Sequence, residues 1–159
     1  MTVKIRPMLL KDKPALMKIL QDTPEFKPPE VAVAEEVIDS YLKDPPGSGY
    51  QVLIAEDSSN VVGYICYGPT PLTESTWDFY WEAIARNKRG QGIGSMLLKL
   101  AEEEIIKAKG KLGLIETSST PDYEKTRRFH ISNGYEIIAR IPDFYAPGDD
   151  KLILQKRLR

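Results

Sequence analysis

Residues 87–110 read NKRGQGIGSMLLKLAEEEIIKAKG, which places three glycines within five positions directly ahead of a long helical pattern. The helix is predicted to run to about Lys109, with Gly110 as its C-terminal cap. Its predicted buried stripe comprises Ile93, Met96, Leu97, Leu100, Ala101, Ile105 and Ala108. Glycine lets the backbone approach a ligand closely, and the free N–H groups at a helix start attract anionic oxygens. The stretch therefore predicts a turn that binds a diphosphate.

Three phosphate-binding patterns compete for this glycine run. A Walker loop ends in Gly-Lys-Ser/Thr, whereas Gly94 is followed by Ser95, so that pattern fails. A dinucleotide fingerprint needs a third glycine or alanine where this chain has Ser95 or Leu97, and it belongs in the first β-α unit of a domain. The pattern Arg/Gln-x-x-Gly-x-Gly/Ala between a strand and a helix fits at Arg89, Gly92 and Gly94. One glycine would suffice for a purely structural turn, so we favour pyrophosphate binding.

The remaining sequence alternates between strand and helix patterns. Strands are predicted at residues 3–7, 50–56, 61–67, 76–86, 112–117, 135–141 and 151–158, with a four-residue loop at 57–60 and a longer loop at 143–150. Helices are predicted near residues 13–20, 31–42, 93–109 and 121–133. The order β-α-α-β-β-β-α-β-α-β-β predicts an α/β (α+β) fold, a mixed sheet with helices on both faces. A single domain spanning residues 1–159 is expected from this length.

Composition excludes several classes of function. The net charge of −1 gives no basic excess for wholesale nucleic-acid binding. One cysteine, Cys66, and one histidine, His130, leave neither a disulfide framework nor a cluster of metal ligands, so no metal is expected. The N-terminal residues are polar and no run of eighteen apolar residues occurs, which predicts a cytoplasmic protein with no membrane partner.

Two segments at a characteristic separation resemble the GNAT superfamily of N-acetyltransferases. Residues 84–94, IARNKRGQGIG, resemble the family's segment between the fourth strand and the third helix. Residues 127–135, RRFHISNGY, resemble its second signature, which ends in Gly-Phe/Tyr. The element order extends the resemblance to nearly the whole chain. It implies a single, mostly antiparallel sheet of about seven strands, splayed between the fourth and fifth strands, with about four helices on its two faces.

The resemblance implies acetyl-CoA as acyl donor and a primary amine, small or protein-borne, as acceptor. The pyrophosphate would bind backbone N–H groups in the glycine run, and the pantetheine arm would pair with residues 83–86 like an additional strand. A backbone N–H near Ile84 would polarise the thioester carbonyl. The implied donor-binding residues are Ala83, Ile84, Ala85, Arg86, Arg89, Gly90, Gln91, Gly92, Ile93, Gly94, Ser95, Tyr123 and His130. Association into a homodimer is left open.

Acetyl transfer to an ammonium requires a base, and Asp78, Glu82 and Glu116 are candidates. Alternation puts Asp78, Tyr80 and Glu82 on one face of the fourth strand, subject to any bulge between them. Asp78 is the first choice, because one branch of the family carries a glutamate there. Glu116 is the second, because it ends the fifth strand, where the branch that acetylates protein N-termini carries its base. A water chain remains the alternative, and each carboxylate taken alone could simply be solvated or ion-paired.

His130 stands where the family usually has a tyrosine acid, five residues before Tyr135. A neutral imidazole could hydrogen-bond the sulfur and an imidazolium could protonate it, whereas an ordinary helix histidine would do neither. Tyr123 lies where many relatives have a CoA-contacting asparagine, and it could donate a proton or stack on the pantetheine. The missing tyrosine keeps a second hypothesis open, a non-catalytic acyl-CoA-binding GNAT domain acting as sensor or interaction module. A nucleotide-binding protein is the third.

The acceptor pocket is expected between the first helix pair, the fourth strand and the 143–150 loop, with residues 23–29 in its wall. Acidic side chains in these segments would suit a cationic amine. They are Glu25, Glu30, Asp143, Asp149 and Asp150.

Overall fold

The computed structural model describes residues 2–159 as one seven-stranded sheet with helices on both faces. The strands are β1 (Val3–Pro7), β2 (Gln51–Asp57), β3 (Asn60–Pro69), β4 (Thr76–Ile84), β5 (Leu112–Ser118), β6 (Glu136–Ala146) and β7 (Asp149–Arg157). The helices are α1 (Lys13–Gln21), α2 (Pro28–Lys43), α3 (Ile93–Lys107) and α4 (Glu124–Ser132). The predicted fold class and element order are confirmed. Across residues 2–159, none of the helices combines the length and apolarity required to cross a membrane.

The sheet opens in its middle. Its strand order is β1-β2-β3-β4-β5-β7-β6, with β4 and β5 parallel and the other neighbours antiparallel. Pairing between β4 and β5 runs from Thr76 with Leu112 to Phe79 with Ile115 and stops there. Residues 80–84 of β4 and 116–118 of β5 therefore diverge, which confirms the predicted splay. We call the gap between these two unpaired segments the slot.

A β-bulge at Tyr80 reverses the faces of β4. Cys66 of β3 lies opposite Trp81 and the next residue, Tyr67, lies opposite Phe79, so Tyr80 is the extra residue. Before the bulge, Phe79 packs in the core beneath α3, and after it, Trp81 packs on the core beneath α1 and α2. The bulge thus separates the side chains that strict alternation would align.

The acidic residues of β4 consequently face opposite sides. Asp78 and Tyr80 lie on the α1–α2 face, where the Tyr80 ring contacts Tyr50, 5.4 Å between ring centroids. Glu82 lies on the opposite face, beneath the first turn of α3. The prediction that these three side chains share one face is therefore wrong for Glu82.

The stripe predicted for α3 is partly wrong. Met96 is 40% exposed and Ala108 is exposed, whereas Leu98 and Glu102 are buried. The buried stripe is therefore rotated relative to the predicted one, and Glu102 faces the interior. The Glu102 carboxylate accepts a hydrogen bond from the Tyr135 hydroxyl at 2.7 Å and pairs with Lys156 at 3.0 Å.

Two turns also differ from prediction. Ser58 and Ser59, with φ of 53° and 70°, form a two-residue turn in place of the predicted four-residue loop. Lys109 (φ 69°), not Gly110, adopts the left-handed conformation after α3. Gly110 is required for another reason, since a Cβ there would lie 2.7 Å from the Trp77 ring.

The predicted 143–150 loop is instead a hairpin. β6 continues to Ala146 and β7 begins at Asp149. Asp143 accepts the Gly148 N–H and Asp150 accepts the Asp143 N–H, both at 2.8 Å, so these carboxylates stabilise the hairpin end. These hydrogen bonds give Asp143 and Asp150 a structural role in the hairpin, which is an alternative to their predicted role in an acceptor pocket.

Candidate active site

The glycine turn leaves its outer surface open. Gly90 and Gly92 have φ of 75° and 82°, a left-handed conformation that glycine adopts without strain. A Cβ built on either residue would meet no heavy atom within 4 Å. The backbone conformation, not crowding inside the protein, accounts for glycine at both positions.

The turn ends at a helix N-terminus that is free to bind an anion. The Met96 N–H donates to the Gly92 carbonyl at 3.1 Å, which is the first bond of α3. The preceding N–H groups of Ile93, Gly94 and Ser95 have no helical acceptor, and no side chain in residues 2–159 caps them. These dipoles and the field of a 15-residue helix point into the open space above the turn.

Basic side chains surround this N-terminus. Arg89 closes the turn by donating its Nε–H to the Ile84 carbonyl at 3.3 Å, while its guanidinium stays partly exposed, 3.9 Å from Glu25. Lys88 pairs with Asp57 at 3.1 Å, and Arg86 is exposed. Residues 86–95, which include the predicted donor-binding residues of the turn, are continuous and carry three cationic side chains.

The slot begins where this turn meets β4. Ala83 is buried and Ile84 packs against the α3-side core. The Ala85 N–H donates to the Val62 carbonyl of β3 at 2.8 Å, so it faces away from the slot. Because backbone groups alternate along a strand, the Ile84 N–H faces the slot. An extended chain leaving the turn would meet the Ile84 N–H along this edge, beside the carbonyl that accepts from Arg89.

Asp78 and Glu116 flank the other end of the slot, where β4 and β5 pair, on the α1–α2 face. Asp78 lies opposite Leu114 of β5, and Glu116 follows two residues later, so alternation puts both on one face. The Thr70 hydroxyl donates to Asp78 Oδ2 at 2.6 Å, with the Tyr80 hydroxyl at 3.5 Å. Glu116 is ion-paired with Lys151. The sequence analysis missed Thr70, which orients the first candidate base.

More acidic side chains approach this face. The Tyr123 hydroxyl lies 3.1 Å from Glu30 Oε2 and 3.2 Å from the Glu25 carbonyl. Burial, and to a smaller extent the Glu30 carboxylate, raise the pKa of Tyr123 above its ordinary value. Burial, and to a smaller extent the Glu116 carboxylate, also raise the pKa of Tyr145. Tyr123 therefore joins the start of α4 to α2, and its proton is held by a carboxylate rather than free for transfer.

His130 lies on the other side of the sheet. Its ring packs on Phe129 and Tyr135 with centroid distances of 5.2 and 6.2 Å, and the residue is 8% exposed. Burial lowers the pKa of His130 to about 4. Its Nδ1 is shielded from solvent and has no hydrogen-bond partner in the described chain, residues 2–159. The imidazole is therefore neutral at physiological pH. This argues against the prediction that an imidazolium protonates the sulfur, and it leaves the prediction that a neutral imidazole donates a hydrogen bond to it.

We expect the His130 resonance to titrate with a midpoint near pH 4, and a single histidine makes the NMR assignment unambiguous. Because this folded-state pKa lies below the unfolded value, His130 contributes stability above about pH 6.5 that is lost as the pH falls toward 4. The loss amounts to about 3 kcal/mol, and His130→Tyr should remove this part of the pH dependence. A midpoint near 6.5 would contradict the buried, neutral imidazole.

Glu82 occupies an unusual position beside the glycine turn. Its Oε1 lies 3.6 Å from where a Gly94 Cβ would stand, and the Phe129 ring lies 3.2 Å from the same point. Its Oε2 is shielded from solvent and has no hydrogen-bond partner among residues 2–159. Burial raises the pKa of Glu82 well above its ordinary value. An acidic residue within the otherwise apolar stretch 81–84 was the sequence signal for such a group.

Known proteins share this arrangement. Residues 48–137, more than half of the chain, match the family model described as an acetyltransferase (GNAT) domain. The chain belongs to the GNAT superfamily. The splayed β4–β5 pair and the glycine turn before α3 are therefore features of a GNAT domain, as the sequence resemblance implied.

Solved structures support this assignment over the whole chain. A protein from Desulfovibrio desulfuricans assigned to the GNAT family of acetyltransferases is 34% identical, with a TM-score of 0.96 over 99% of this chain and 100% of that one. The ribosomal-protein-S18-alanine N-acetyltransferase from Escherichia coli is 16% identical, with a TM-score of 0.78 over 99% and 94% of the two chains. No curated protein sequence matches this chain.

Some of the similar structures are complexes with coenzyme A. The PaiA N-acetyltransferase from Thermoplasma acidophilum, in complex with coenzyme A, is 15% identical, with a TM-score of 0.78 over 99% of both chains. At this identity the likeness shows a common GNAT fold. It does not by itself assign a ligand to this chain.

Proposed function

We propose that this GNAT domain transfers an acetyl group from acetyl-CoA to a primary amine by direct attack in a ternary complex. The observation that carries the proposal is the continuity of the open α3 N-terminus with the unpaired half of β4. A diphosphate on the N–H groups of Gln91–Ser95 would start an extended arm along residues 80–84. CoA has this combination of groups, and a GNAT structure with bound coenzyme A supports the choice.

A backbone N–H group that faces the slot would polarise the thioester carbonyl. Negative charge develops on the acetyl oxygen when the amine attacks, and a fixed backbone donor stabilises it. The Ile84 N–H faces the slot and is the proposed donor. No enzyme nucleophile is required in this reaction. The Cys66 thiol is unsuited to such a role, because it is fully buried and burial raises its pKa to well above the ordinary value.

Asp78 is the proposed base for the amine. Thr70 holds its carboxylate at the end of the slot where β4 and β5 pair, and no cation in residues 2–159 forms an ion pair with it. Glu116 is the second candidate, but its ion pair with Lys151 opposes uptake of a proton. The carboxylates of Glu30 and Glu116 lie near Tyr145 on this face and would attract a cationic acceptor.

The departing thiolate meets a different set of groups. The neutral His130 imidazole can donate one hydrogen bond to sulfur, whereas the Tyr123 hydroxyl is engaged by Glu30. A tyrosine hydroxyl at position 130 would be the more usual arrangement in this superfamily. This departure is the observation that favours the second candidate function, an acyl-CoA-binding GNAT domain without turnover.

Steady-state thiol release from acetyl-CoA with a panel of amines, measured beside CoA binding, tests the proposal. We expect thiol release that depends on the amine and is lost in Gly92→Asp. CoA binding without amine-dependent release across the panel would favour the binding module. Tighter binding of ATP or NAD than of CoA in competition calorimetry would instead favour a nucleotide-binding protein.

A further inference from the structure

The Glu82 carboxyl has no role in the reaction as described, yet it lies close to the proposed donor path. It projects beneath the first turn of α3, on the α3 side of β4. Residues 80–84, which include it, are the half of β4 that has no partner in β5. Its Oε1 lies 3.6 Å from where a Gly94 Cβ would stand, a point that is also 3.2 Å from the Phe129 ring. Any chain running from the glycine turn into the slot must pass this corner.

The carboxyl is left unsatisfied in the free protein. Oε2 is shielded from solvent and bonds to no atom of residues 2–159. Buried polar atoms almost always have partners, and an orphaned one is costly, so an apolar side chain would be more stable here. The orphaned oxygen is an independent sign that a ligand group completes the site.

The surroundings favour a neutral acid at this position. Burial raises the pKa of Glu82, and no cation of the described chain contributes to its environment. The Tyr135 hydroxyl is near enough for Glu82 to raise its pKa, although that hydroxyl donates to Glu102. A protonated carboxyl has one O–H donor and one carbonyl acceptor, which is the complement of an amide.

We propose that Glu82 binds the pantetheine arm of the acyl donor, its carboxyl hydrogen-bonding an amide of the arm where the arm enters the slot. This inference rests on the proposed function. Gly94 is then required at its position for two reasons. A side chain there would press on Phe129, and it would also narrow the space above the Glu82 carboxyl.

Calorimetry with two ligands and two variants tests the assignment. Glu82→Gln keeps a donor and an acceptor, and we expect it to bind CoA within about threefold of the unmodified protein. Glu82→Leu removes both, and we expect CoA affinity to fall about tenfold or more. The affinity for 3′-phospho-ADP, which has the diphosphate but no arm, should be unchanged in both variants. Glu103→Leu, at an exposed position of α3, is the control for a lost carboxylate.

The outcomes separate this inference from the proposed function. If Glu82→Leu binds CoA as tightly as the unmodified protein, or loses CoA and 3′-phospho-ADP affinity equally, the assignment to the arm is overturned. If the unmodified protein does not bind CoA, the proposed function fails first. Thermal unfolding checks the fold, and Glu82→Met repeats the test should the leucine variant not fold.

Discussion

Gly92→Asp is expected to lower CoA affinity at least about 100-fold, or about 2.7 kcal/mol, in titration calorimetry. Residue 92 is the cap of α3, and a side chain there would project into the open space above the free N–H groups. The carboxylate would occupy that space and repel a diphosphate. The loss should therefore exceed the cost of the backbone conformation alone.

Gly49→Asp is the matched control. Gly49 also has a positive φ, 83°, and no heavy atom within 4 Å of a built Cβ. The left-handed backbone conformation should cost both variants a similar free energy of unfolding, about 1 kcal/mol. Only the variant at residue 92 should lose CoA affinity. Equal affinities for the two variants would contradict the assignment of the diphosphate to the glycine turn.

Asp78→Asn is expected to lower kcat about 100-fold with CoA affinity unchanged within about twofold, because removing a general base slows the chemical step. An asparagine can still accept the Thr70 hydrogen bond, so the geometry at the bulge is retained. Steady-state rates at saturating acetyl-CoA, with binding measured separately, distinguish chemistry from affinity.

Three further variants sharpen this result. Thr70→Val should lower kcat less than Asp78→Asn, because it removes the group that orients the carboxylate but keeps the carboxylate itself. Asp39→Asn changes a 53% exposed carboxylate of α2 and should leave the rate unchanged. If Glu116→Gln abolishes turnover while Asp78→Asn does not, Glu116 is the base.

The sequence could predict the donor side because local patterns determine it. The glycines at 90 and 92 have the positive φ values that only glycine adopts freely, and the helix after them has the length expected from its periodicity. The order of strands and helices followed from alternation and from turn residues. A parallel β4–β5 pair then followed from the helix between them.

The catalytic faces could not be read from the sequence, because a bulge has no reliable local signature. Because Tyr80 is an extra residue, each later side chain of β4 points to the face opposite to the one that strict alternation predicts. Glu82 therefore changes from a candidate base beside Asp78 to a half-buried acid on the donor side. Likewise, Tyr123 contacts Glu30, which is distant in sequence, and Thr70 meets Asp78 across the β3–β4 pair, and periodicity reports neither contact.

The most direct test of the account is a crystal structure of the protein grown with CoA. We expect diphosphate oxygens within about 3 Å of the N–H groups of Ile93, Gly94 and Ser95, and the arm lying in the slot beside residues 80–84. The sulfur should then lie between the Asp78 face and the His130 side of the sheet. A diphosphate bound away from α3, or an arm lying outside the slot, would contradict the account.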